Sequence, residues 1–83
     1  MTEDLDRQTK LTSLAACKAF AEKAYDEMYE AHSPSGAMAR YSDAKEAYYD
    51  AIRLARELGL ADEVEALNNR LEHIKAVFRS QFV

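Results

Sequence analysis

The 83-residue chain contains one proline and two glycines, and they fall in only two places, Ser33-Pro34-Ser35-Gly36 and Gly59. Glycine and proline are the residues that most strongly punctuate regular backbone. Their scarcity leaves three long stretches in which nothing interrupts a helix. A chain this short has room for one domain, because independent folding units cluster near 100 to 150 residues and small ones bury only about 60% of their unfolded surface. With 48% hydrophobic and 31% charged residues and no tryptophan, the composition excludes a disordered chain, a collagen-like chain and a turn-rich β-sandwich.

The apolar residues of each stretch recur with helical spacing. Leu14, Cys17, Ala21, Ala24, Met28 and Ala31 follow one another at intervals of 3, 4, 3, 4 and 3, which puts them on one stripe of a helix. Tyr41, Ala44, Tyr48, Ala51, Ile52, Ala55 and Leu58 form the inner face of a second helix, opposite Ser42, Asp43, Glu46, Asp50, Arg53 and Glu57. In the third, Val64, Leu67, Leu71, Ile74 and Phe78 stand at intervals of 3, 4, 3 and 4, with Phe82 one turn on. The expectation is an all-α, up-down-up bundle forming a single domain over residues 1–83, with helices over residues 8–32, 38–58 and 62–82 and residues 1–7 frayed. Thr2 is a candidate cap for the first helix. Two starts fit the second: Ser33 as cap with Pro34 at the first position, or a later one near Arg40 or Ser42. Gly59 followed by Leu60 fits a left-handed helix stop with an apolar residue after it, and Asp62 with Glu65 has the spacing of a capping box.

The four positions Tyr41, Ala44, Tyr48 and Ala51, followed by the aliphatic Ile52, resemble the second helix of a tetratricopeptide repeat over residues 24–58. The layout is also similar to the microtubule-interacting and trafficking domain, a three-helix bundle whose middle helix carries the same pattern and whose first helix would contain Ala21-Glu22-Lys23-Ala24. Both families bind peptides or helices of partner proteins. The resemblance therefore implies a TPR-like hairpin plus a third helix, working as an interaction module.

The residues give little support to chemistry. Cys17 and His32 are fifteen positions apart on one expected helix, ~22 Å of axial rise, too far for a nucleophile and its base. Neither histidine stands in a metal-ligating spacing. Most of the 15 carboxylates fall on outward arcs, and no glycine-rich phosphate loop is present. No catalytic residue, cofactor or metal is expected, and the chain is read as a non-enzyme. The net charge of −4 argues against nucleic acid as a partner. No stretch approaches the ~18 apolar residues of a membrane span. The acidic start lacks the basic and apolar regions of a signal peptide, and a lone cysteine suits a reducing compartment, so a cytoplasmic location is expected.

Two surfaces are candidates for binding. Tyr29 and Tyr49 lie at the edges of their apolar stripes and, with Phe20 and Met38 nearby, form a candidate surface for a protein partner's peptide or amphipathic helix. The alternative is a homodimeric structural or regulatory protein joined through Phe78, Phe82 and Val83, large apolar groups at the end of the chain. The fold expectation is tested at Leu71, in the middle of the third seam. Leu71→Ala should lower stability by about 2 to 5 kcal/mol in a thermal or denaturant melt.

Overall fold

A computed structural model describes the backbone of residues 2–82 and the side chains of residues 4–82. The three uninterrupted stretches form three helices, α1 (Thr2–Glu30), α2 (Pro34–Glu57) and α3 (Ala61–Gln81). Connections of three residues, 31–33 and 58–60, turn the chain back on itself twice, which makes successive helices antiparallel neighbours. The result is an all-α three-helix bundle with extents of 49 × 20 × 13 Å, the long axis being set by α1. Among the described residues, no helix is long and apolar enough to cross a membrane.

The helices are not equally close. α1 and α2 run against each other along most of their length, and the residues between them are small: Ala21, Ala24, Ala44, Ala51 and Ala55 are almost wholly buried. A methyl side chain lets helix axes approach toward the short end of the usual 8 to 10 Å. α3 stands further off and reaches the pair with larger side chains, Leu67, Leu71, Ile74 and Phe78. Phe78 stacks flat on Tyr41, with ring centroids 3.9 Å apart and planes within 2°. Tyr48, Met28 and Ile74 are the largest side chains fully enclosed, and the described core buries no charged residue.

The helix ends explain where the elements begin and stop. Ser33 is extended (φ −145°), and its Oγ accepts a hydrogen bond from Gly36 N at 3.1 Å. Pro34 takes the first helical position, where its missing N–H costs nothing. α2 therefore starts at Pro34, the earlier of the two starts and four residues before residue 38. α1 ends at Glu30, two residues before residue 32, and Ser33 has the extended conformation favoured in the residue before a proline. At the other end α1 continues back to Thr2, through residues expected to fray. Whether Thr2 caps it lies outside the described side chains.

Gly59 adopts φ +71°. Its N–H donates to Arg56 O (3.0 Å) and Leu60 N–H donates to Ala55 O (2.9 Å), the paired bonds of a Schellman ending. Leu60 then serves the next helix as well, its carbonyl accepting from Val64 N at 3.0 Å. This overturns the capping box expected at Asp62 and Glu65. Leu60 is the N-cap of α3, no side chain caps it, and Asp62 lies inside the first turn with Glu63. Because one residue both closes α2 and opens α3, no position is left before Ala61 for a capping side chain. The two carboxylates act instead on the positive end of the helix dipole.

A Cβ on Gly59 would meet no other atom within 4 Å, so a substitution there tests the left-handed backbone alone. Gly59→Ala should cost about 1 to 2 kcal/mol and lower Tm by roughly 4 to 8 °C per kcal/mol, with helical content at room temperature unchanged by circular dichroism.

Candidate interaction surface

Where α1 faces α3 the backbones are too far apart for small residues to fill the gap, and long charged side chains cross it. Arg70 on α3 grips Glu22 on α1 with two hydrogen bonds, Nε to Oε2 at 2.9 Å and NH2 to Oε1 at 2.7 Å. Its guanidinium also lies 5.0 Å from the Tyr25 ring centroid. Lys18 pairs with Glu63 one turn below. Together these pairs roof a hollow of about 280 Å³ floored by Tyr48 and Leu67. Burial, reinforced by a hydrogen bond with Tyr29, pushes the Tyr25 phenol up to about 12. It therefore stays protonated as a structural hydrogen-bonding group.

The aromatic residues of the two expected surfaces are spread over the bundle. Tyr29 is 47% exposed, yet its hydroxyl lies 3.1 Å from that of Tyr25 and its ring packs edge-on against both Tyr25 and Phe82. Tyr49 is 51% exposed and sits 5.5 Å from the Lys75 ammonium. Met38 is exposed on the second turn of α2. Tyr29 is one residue from the end of α1, whereas Tyr49 lies fifteen residues into α2, ~22 Å further along the bundle. The two tyrosines do not line one groove. The C-terminal residues are also arranged differently from the interface reading: Phe78 is only 5% exposed and belongs to the core, while Phe82 stacks on it with centroids 5.7 Å apart. The long first helix supplies Tyr29 as cover for Phe82, so these rings are largely used within the chain. Val83 lies outside the described residues.

Phe20 is the member of the expected set that faces an open cleft. It is 55% exposed, on the side of the α1–α2 pair where it meets Asp43, Glu46 and Asp50. Ala16, Cys17 and Ala47 complete the lining of this shallow space of about 340 Å³. Among the described residues Phe20 has no aromatic or cationic partner of the kind Tyr29 and Tyr49 have. Asp43 shares Arg40 at 3.5 Å and Asp50 shares Arg53 at 3.6 Å, while Glu46 makes no ion pair among the described residues. Burial, with Asp50 beside it, raises the Cys17 thiol above its ordinary value, against a smaller opposing effect of Arg53.

Sequence reasoning singled out Phe20 but not the acidic residues beside it. Their signal was the spacing of 43, 46 and 50, one stripe of α2, opposite an α1 segment with no charged residue from 11 to 17. No group of three or more His, Cys, Asp or Glu side chains is placed to hold a metal ion among the described residues.

The fold defines the protein as an all-α three-helix bundle. Compared with protein-family models, with curated proteins and with solved structures, the chain finds no match. Tyr41, Ala44, Tyr48 and Ala51, the residues of the tetratricopeptide-like pattern, are all buried; here they pack the bundle.

The bridge between α1 and α3 is bidentate but partly exposed, which places it at the upper end of the range for surface ion pairs. A double-mutant cycle with Glu22→Gln and Arg70→Ala should give a coupling of about 1 kcal/mol in low salt, much reduced at ~1 M salt, where the screening length falls to about 3 Å.

Proposed function

We propose that this chain is a non-catalytic interaction module that binds an amphipathic helix or extended peptide of a protein partner through the Phe20 side of its α1–α2 pair. One observation carries the reading. Phe20 is a large aromatic side chain held half in solvent beside a cleft, on the most closely packed pair of helices in the molecule. Aromatic side chains on a rigid support are favoured anchors of interfaces, because they supply much apolar area for little lost conformational freedom. The resemblance of residues 24–58 to peptide-binding helical families supports the same class of function.

A non-enzymatic role fits the titratable groups. The Cys17 thiol and the Tyr25 phenol are both shifted upward, away from the charged forms that a nucleophile or base needs. The lone thiol suits a reducing, cytoplasmic setting. Self-association through the C-terminal end is the weaker reading, since Phe78 and Phe82 are packed on Tyr41 and Tyr29.

The proposal is tested by placing the photo-cross-linker p-benzoylphenylalanine at position 20 and, as a comparison, at position 49. Position 20 should yield one discrete protein adduct in cells, mapping to a helical or extended segment of the partner, and Ala16→Arg should remove it. Adducts that form at position 49 and not at position 20 would reject this surface. Phe20→Asp should shift stability by no more than about 0.5 kcal/mol, as expected of an exposed site.

A further inference from the structure

The outward face of α1 departs from the pattern of the other two helices. On α2 the outer positions include Arg40, Asp43, Glu46, Asp50 and Arg53, as a solvated face should. On α1, the exposed residues from Thr9 to Phe20 are Thr9, Thr12, Ala15, Ala16, Lys18, Ala19 and Phe20, and only Lys18 among them is charged. The two lysines of this stretch turn sideways, Lys10 to Glu57 and Lys18 to Glu63. α1 is accordingly the least one-sided of the three helices in hydrophobicity. In a chain with 31% charged residues, it resembles a helix with two faces to bury, only one of which the bundle covers.

We infer that the uncovered face, together with the Phe20 cleft, receives one helix of a partner protein that carries lysine or arginine along one flank and small apolar residues along its contact face. This rests on the binding reading above and adds the chemistry of the partner. The occupant is a helix because alanines and threonines at the contact let a second helix axis approach closely, with Phe20 filling the end of the seam. The contact face from Thr9 to Phe20 is twelve residues long, ~17 Å, or three turns of a docked helix. Its basic character follows from the border. Asp43, Glu46 and Asp50 stand one turn apart beside the cleft; Arg40 and Arg53 pair with the two aspartates, Glu46 between them has no ion pair among the described residues, and the border keeps a net negative charge, so cations spaced three and four residues apart on the partner would meet it in register. A second copy of this chain is disfavoured as occupant, because it would set a net charge of −4 against another and bring Asp4 and Asp6 of its own α1 to the same surface.

The test uses two synthetic 18-residue amphipathic helices, alike in their leucine and alanine face, one with lysine and one with glutamate at every third or fourth position. Binding to the full chain is followed by fluorescence anisotropy near physiological salt. The basic peptide should bind, and Ala16→Lys and Glu46→Lys should each weaken it at least tenfold, while Tyr49→Ala leaves it unchanged. Bound basic peptide should also slow alkylation of Cys17, the only cysteine of the chain.

Equal binding of the basic peptide to the Ala16→Lys variant would mark general attraction to an acidic protein and overturn the inference. So would equal or tighter binding of the acidic peptide, binding of neither peptide, or a wild-type dimer in sedimentation that Ala16→Lys dissociates. Failure here is separable from failure of the module reading. An adduct at position 20 with a helix lacking basic residues keeps the module and removes the basic partner, whereas absence of that adduct removes the module itself.

Discussion

The close approach of α1 and α2 is the contact on which the rest of this structure depends. It is made by alanines that bury little apolar area individually but set the two helix axes near each other over many turns. Small side chains at the centre of this pair push the larger ones, Tyr25, Met28, Tyr41 and Tyr48, to its margins. There they form the floor on which α3 lies. The same closeness holds Phe20 at a fixed distance from the α2 carboxylates, so the outer cleft is a by-product of how the inside is packed.

α3 is attached by a different means. Its Leu67, Leu71, Ile74 and Phe78 fill the wider gap toward the pair, and the flat stack of Phe78 on Tyr41 fixes its upper part. Along the α1 side the join is polar, with Glu22–Arg70 and Lys18–Glu63 crossing a hollow. The two interfaces thus respond to different conditions. Alanine packing is insensitive to salt, whereas partly exposed ion pairs weaken as salt rises.

Much of the fold was legible because its signals are local. Sparse punctuation marked three helices, Gly59 with Leu60 marked a left-handed stop, and intervals of three and four residues marked the buried faces. The misread features depend on what neighbouring elements do. Asp62 has capping-box spacing, but Leu60 had already been taken by the turn of α2, and periodicity within α3 carries no trace of that. Phe78 and Phe82 looked uncovered because the cover comes from Tyr41 and Tyr29, on two other helices. For the surface, helical spacing puts Tyr29 and Tyr49 at stripe edges with Phe20 and Met38 nearby. It could not show that Tyr29 and Tyr49 sit far apart along the bundle, or that Phe20 faces three carboxylates, because both facts arise from the way α1 and α2 are aligned.

The Schellman turn at Gly59 has a consequence for how the bundle is held together. It joins α2 and α3 through three residues and a single left-handed glycine, and the outer edge of α3 is held to α1 by side-chain bridges. Such a geometry is that of a book cover, with its spine at residues 58–60 and its clasp at Arg70. The clasp is the partly exposed side of the book, lying over Tyr48 and Leu67, while the alanine seam is shut away from solvent. The outer cleft belongs wholly to α1 and α2, so its walls are set by the pages and owe nothing to the cover.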